Sequence, residues 1–153
     1  AGDRADAAAT IRKWLDEGKV VIVDRYVYSN IGYQCAKLSC CEERRALKEW
    51  ILDMEYEKFG IPRPDVSLFL DVPFAFTAKK LSENREGDDR AYLHGAKDIH
   101  ESSLDLQRSV REVYLEAARE DNDIQVVDCS TDEGNMASPE VIFERIMSHI
   151  DNL

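Results

Sequence analysis

Three short apolar runs, residues 19–23 (KVVIV), 66–72 (VSLFLDV) and 123–128 (DIQVVD), alternate with longer stretches whose apolar residues recur at helical spacing. Runs of this length, rich in β-branched residues, suit strands covered on both faces. Strands that alternate with helices predict a parallel sheet, because a parallel neighbour is reached only by a crossover connection. The expected class is therefore α/β. Ligands in such folds bind beyond the carboxyl ends of the strands, so the residues following each run are the ones to inspect.

The helical stretches carry their own punctuation. Residues 6–17 predict a helix closed by Gly18. Residues 24–28 read as an exit loop and 29–38 as a short helix. Ser39 and Glu42 stand as a capping box. Behind them Leu47, Trp50, Ile51 and Met54 recur at helical spacing, and Gly60, Pro62 and Pro64 end that helix. Pro73 opens a helix through Leu81. Residues 84–97 are polar and interrupted by glycine, and read as a loop. Asp98 starts a long helix with Ile99, Leu106, Val110, Val113 and Ala117 on one face. Ser138, with Pro139 at the first helical position, caps the last helix.

A chain of 153 residues is the size of one domain. Its net charge of −11 repels nucleic-acid backbones, so no nucleic-acid partner is expected. No apolar run approaches the ~20 residues of a membrane span. The 4 cysteines include Cys40 and Cys41 side by side, which suits neither a zinc knuckle nor an ordinary bridge. Reduced thiols and a cytoplasmic setting follow for a core-rich chain of this size.

Asp24-Arg25-Tyr26 follows the first run. A carboxylate at a strand end can hold Mg²⁺ directly or through water, and a guanidinium can grip a phosphate with two parallel hydrogen bonds. Alone, such a pair is more often a solvated turn. The surrounding residues sharpen the reading. Residues 20–37 (VVIVDRYVYSNIGYQCAK) resemble the strand and D-R-Y/H segment of thymidylate kinases, the match continuing through Ser29, Asn30 and Tyr33. Asp3-Arg4 resembles the family's F-x-x-D/N-R segment. Residues 62–72 (PRPDVSLFLDV) resemble its P-x-P-D-L-x-x-x-L-D-V stretch, and Asp98, Glu101 and Tyr114 sit as in its long helix. The resemblance runs in order along essentially the whole chain.

The resemblance implies a P-loop NTPase-type parallel sheet flanked by helices, with the three runs as strands 3, 4 and 5 of a 2-3-1-4-5 order. It implies phosphoryl transfer from ATP to dTMP, with Mg²⁺, in a homodimer. Arg25 would hold the dTMP phosphate and Asp24 would orient Mg²⁺ or the phosphates. Arg4 would donate to a thymine carbonyl and Asn30 would bond the base edge. Tyr33 would pack beside the sugar, or serve core packing, or both. Ser29 would touch substrate or cap its helix. Residues 84–97 correspond to the family's lid, whose Arg85 and Arg90 would neutralise charge on the transferring phosphoryl group. Asp98 and His100 would approach the nucleotide, and Glu101 would reach Mg²⁺ through water. His100 departs from the tyrosine of many relatives.

A second departure is larger. The G-x-x-x-x-G-K-[S/T] loop that cradles ATP phosphates does not occur; Gly18-Lys19 precedes a run instead of following one. The expectation is that residues 1–153 form a single kinase-like domain that is N-terminally incomplete and itself inactive. The strand between strands 3 and 4 would then be missing, leaving unpaired apolar edges on residues 19–23 and 66–72. The alternatives are a deoxynucleoside kinase, which would carry an E-R-S type motif at Asp24-Arg25-Tyr26, and a non-catalytic nucleotide-binding or dimerisation domain.

Overall fold

The computed structural model describes residues 2–82 and 104–151. The chain divides into two compact units, Ala1–Asp65 and Val66–Leu153.

The first unit is helical. Helix α1 (Gly2–Asp16) ends where Gly18 takes φ +74°, a left-handed conformation that glycine adopts without steric cost. Helices α2 (Val27–Cys35) and α3 (Cys41–Leu52) pack together. Val27, Ile31, Cys35 and Ile51 are almost completely buried. Cys40, not Ser39, occupies the N-cap of α3 and makes no side-chain cap. Glu42 instead accepts a hydrogen bond from the Cys40 thiol at 2.8 Å, so the expected capping box does not form.

The chain then leaves α-helical geometry. Asp53–Lys58 continues α3 as a π-helical turn, in which residues five apart become neighbours: Phe59 N–H donates to the Met54 carbonyl, and Lys58 meets Asp53 at 2.9 Å. The widened turn buries Glu55 and Tyr56 beyond Ile51. It leaves Phe59 46% exposed, and Trp50, expected on the apolar face, is 54% exposed.

Residues 19–23, expected as a strand left with an unpaired apolar edge, form no ladder among the described residues and are not a strand, and Val20 and Ile22 are 90% and 89% exposed. β-propensity alone does not hold a strand; pairing does.

The second unit carries the sheet. Strands β1 (Ser67–Asp71) and β2 (Ile124–Asp128) pair in parallel, Ser67 opposite Ile124 through Asp71 opposite Asp128. Helix α4 (Phe74–Ser82) follows β1, as Pro73 implied. Helix α5 (Leu104–Glu120) precedes β2 and buries Val110, Val113 and Ala117, the stripe expected of it. Its Tyr114 ring stacks on Phe69 of β1, centroids 4.4 Å apart and planes 4° from parallel. Helix α6 (Pro139–Ile150) starts as expected, the Ser138 hydroxyl accepting from Val141 N–H. The α/β class with a parallel sheet thus holds, with two strands in the sheet among the described residues instead of three.

The contrast between the paired and unpaired runs is measurable. Val127→Ala, at a side chain 1% exposed, should lower stability of the 153-residue chain by about 1.5–3 kcal/mol. Val20→Ala should change it by less than about 0.5 kcal/mol. Urea midpoints check both; equal losses at the two positions would contradict the described packing.

Candidate functional site

Glu55 is the fixed point of the first unit. Its side chain has 0% exposure, and three N–H bonds converge on it. Arg4, one turn into α1, donates Nε–H to Oε2 at 2.6 Å and Nη2–H to Oε1 at 2.5 Å. This is the bidentate fork that makes arginine pairing with carboxylates geometrically specific. Asn30 on α2 donates Nδ2–H to Oε1 at 3.0 Å. Burial alone would push the Glu55 carboxyl up. The bonds from Arg4 and then Asn30, together with the Arg4 charge, outweigh that and hold it below its ordinary value. The bond to Glu55 correspondingly raises the Arg4 guanidinium.

The pair is seated by the elements around it. Arg12, two turns further along α1, donates to the Gly60 carbonyl, so α1 is fastened at both ends of the π-helical turn. Gly60 takes φ +58° there. The Tyr26 hydroxyl donates to the Pro62 carbonyl at 2.9 Å, tying the segment before α2 to the segment after the turn. Burial pushes the Tyr26 phenol up, so it stays a donor at neutral pH.

Helix α2 links this cluster to the Asp24-Arg25 segment. Asn30 and Tyr33 are three apart, hence neighbours on one helical face. The Arg25 guanidinium carbon lies 4.8 Å from the Tyr33 ring centroid, within cation–π range. Arg25 is the one non-glycine residue with positive φ among the described residues, at +65°. Holding a residue with a Cβ there costs about 1–2 kcal/mol, and such conformations concentrate where function demands a particular aim. Asp24 and Arg25 are both exposed.

Arg4 and Asn30 therefore share one buried partner, while Arg25, from the segment before α2, lies over Tyr33 on the same helical face as Asn30. Ser29 is half-buried at the third helical position of α2, and Tyr26 is the N-cap, without a side-chain cap bond. Ser29 is thus not the cap of its helix. Arg85, Arg90, Asp98, His100, Glu101 and the expected lid, residues 84–97, lie outside the described residues. Glu55 was not singled out from sequence. The signal was present: an acidic residue four after Ile51, on the face expected to be apolar.

The second unit has a polar cluster at its own strand ends. Asp71 and Asp128 are register partners, so two carboxylates end the sheet side by side. Arg111 of α5 binds Asp71 with two bonds, at 2.5 and 2.7 Å. Asp128 accepts from the Ser130 hydroxyl and backbone N–H at 2.7 and 2.8 Å, which hold its carboxyl below the ordinary value. Arg145 of α6 donates to the carbonyls of Asp128 and Ser130 at 2.5 and 2.8 Å. Burial pushes the neighbouring Cys129 thiol up, which keeps it protonated and unreactive.

Among the described residues no three potential metal ligands converge, and no helix is long and apolar enough to cross a membrane. All four cysteines are free, Cys35 and Cys129 buried, Cys40 and Cys41 exposed.

Comparison with known proteins gives a consistent result. A family model described as thymidylate kinase matches residues 1–138. The chain is 34% identical over 149 residues to a probable thymidylate kinase of Pyrococcus abyssi, covering 97% of this chain and 60% of the relative. It is 30% identical to a probable thymidylate kinase of Thermococcus kodakarensis, covering 100% of this chain and 62% of the relative. A thymidylate kinase of Mycobacterium tuberculosis is 35% identical over 118 residues, 76% of this chain and 52% of that protein. The chain thus spans between 52% and 62% of the length of these relatives.

Removing Arg4 would strand a buried charge. Arg4→Ala should cost about 3–5 kcal/mol at neutral pH. The folded-state value of Glu55 lies below the unfolded one, about 4.3. Its contribution is therefore full above that pH and is lost as pH falls through the folded-state value. The stability gap between parent and variant should narrow on acidification, read from urea midpoints at pH 7 and pH 3. A gap that does not change with pH would contradict the pairing.

Proposed function

The chain belongs to the thymidylate kinase family, and from that premise we propose that the protein transfers the γ-phosphoryl group of ATP to dTMP, giving dTDP. The observation that carries this reading is the α2 face. Asn30 and Tyr33 lie on it, Arg4 of α1 reaches the same carboxylate as Asn30, and Arg25 lies over Tyr33, which supports reading Arg4 and Asn30 as base contacts and Arg25 and Tyr33 as the phosphate side.

In the reaction an oxygen of the dTMP phosphate attacks the γ-phosphorus, the bond from that phosphorus to the β–γ bridging oxygen breaks, and ADP leaves. Both partners are polyanions, so the protein's task is mostly to position them and to neutralise charge. Arg25 grips the acceptor phosphate, its guanidinium steadied against Tyr33. Arg4 donates to a thymine carbonyl and Asn30 bonds the base edge. Tyr33 flanks the sugar. Ser29, half-buried on α2, is taken as a substrate contact.

Mg²⁺ binds through few protein carboxylates, the rest of its shell coming from phosphates and water. Asp24 fits that role: it is an exposed carboxylate beside the phosphate-side arginine. When bound, the ion supplies charge neutralisation on the phosphate oxygens. Arg85 and Arg90 are proposed to neutralise the transferring group. Asp98 and His100 are proposed to approach the nucleotide, and Glu101 to reach Mg²⁺ through water. The same reading takes both units as parts of one kinase domain, working as a homodimer in the cytoplasm. Exposed apolar side chains on its helices, such as Trp50 and Phe143, are available for subunit contact.

No G-x-x-x-x-G-K-[S/T] loop occurs in residues 1–153, so this chain itself is proposed to bind dTMP without turning it over. The test is calorimetric titration of the parent protein with dTMP. Arg25→Ala should weaken binding by about 10-fold or more, and Asn30→Ala by about 10-fold. Absence of saturable dTMP binding by the parent would end this reading.

A further inference from the structure

We propose that Glu55 is the residue that sets base specificity: it fixes which end of the Asn30 carboxamide faces the ligand, so that the site takes a pyrimidine with a proton on N3 and an adjacent carbonyl. This rests on the reading of Arg4 and Asn30 as base-contacting residues and adds a positioning residue to it.

A carboxamide is a donor at one end and an acceptor at the other, and an unconstrained one can serve either base. With its oxygen toward the ligand it accepts from N3–H of thymine or uracil. With its nitrogen toward the ligand it donates to the bare N3 of cytosine. Glu55 removes that choice. An ionised carboxylate only accepts, and it takes Nδ2–H of Asn30 at 3.0 Å. Turning the carboxamide over would place Oδ1 against a buried carboxylate and forfeit a charge-assisted bond. Among the described residues Oδ1 has no other hydrogen bond, and it is the atom left to meet the base.

The same carboxylate aims Arg4. It occupies Nε–H and one Nη2–H, leaving the remaining guanidinium N–H groups as donors. One acceptor and one donor, both held by Glu55, match N3–H and an adjacent carbonyl of thymine. Cytosine, whose N3 is a bare acceptor, meets the Asn30 oxygen with a mismatch. A site built around hydrogen bonds rejects the wrong partner strongly, because its own polar groups are left unpaired. The total burial of Glu55 excludes water that would otherwise loosen this arrangement.

The test is the preference for dTMP over dCMP, the ratio of their dissociation constants by calorimetric titration, in the parent and in Glu55→Gln, an isosteric change whose amide can donate or accept. The ratio should fall by about 10-fold or more in the variant, with the loss mainly in dTMP affinity. A folded variant with the parent ratio would overturn the inference while leaving the base-reading assignment standing. A parent without preference for dTMP would overturn that assignment, and this inference with it. Should the variant not fold, the unsubstituted protein still answers through side-chain amide NMR. One Asn30 Hδ2 proton should be shifted downfield and slow to exchange, and a pair exchanging like solvated amides would overturn the proposal.

Discussion

A carboxylate with no exposed surface has to be paired or protonated, and Glu55 is paired. Its two oxygens take a bidentate arginine from α1 and a carboxamide from α2, while its own backbone belongs to the continuation of α3. Three helices are thus joined at one ion. Glu55 lies four residues after buried Ile51, so helical spacing places it on the inward face, and the π-helical turn that begins after Leu52 buries Tyr56 beside it. Desolvating the carboxylate is costly, and the contacts that offset the cost are the side chains proposed to read the base. Stability of the first unit and organisation of its site are therefore two consequences of one interaction.

The second unit solves a related problem differently. Parallel strands in register bring Asp71 and Asp128 together at one sheet end, and like charges there repel. Arg111 neutralises one, and Ser130 with the turn after β2 satisfies the other. Each carboxylate is engaged within its own unit. Arg145 adds the carbonyls of that turn, so α5 and α6 are both anchored at the strand ends by a guanidinium.

Local and periodic features were legible in the sequence. The α5 stripe, the Ser138-Pro139 start of α6, and the strand character of residues 66–72 and 123–128 all appear, because each depends on neighbours a few positions away. The α/β class and the family followed from the ordered motifs. Features that depend on partners were legible only in part. The missing neighbour of residues 19–23 is expected from the sequence, but their loss of strand conformation among the described residues is not. Ser39 and Glu42 spell a capping box, yet α3 starts at Cys41 and Glu42 meets Cys40. Trp50 has helical spacing with Ile51, but it lies outside the buried stripe that the π-helical turn completes. Glu55 shows in the sequence as an acidic residue in an apolar stripe, but the cation that pairs it, 51 positions away, does not.

Residues 2–65 are proposed to hold a base-reading site assembled on Glu55. The most direct measurement is two-dimensional NMR of the isotope-labelled chain titrated with dTMP, following backbone amides and the arginine and asparagine side chains. Saturable shifts centred on Arg4, Arg25, Asn30 and Tyr33, including the Arg4 Nε–H that meets Glu55, are the predicted result. Saturable shifts centred elsewhere in the chain, with those residues unmoved, would contradict it.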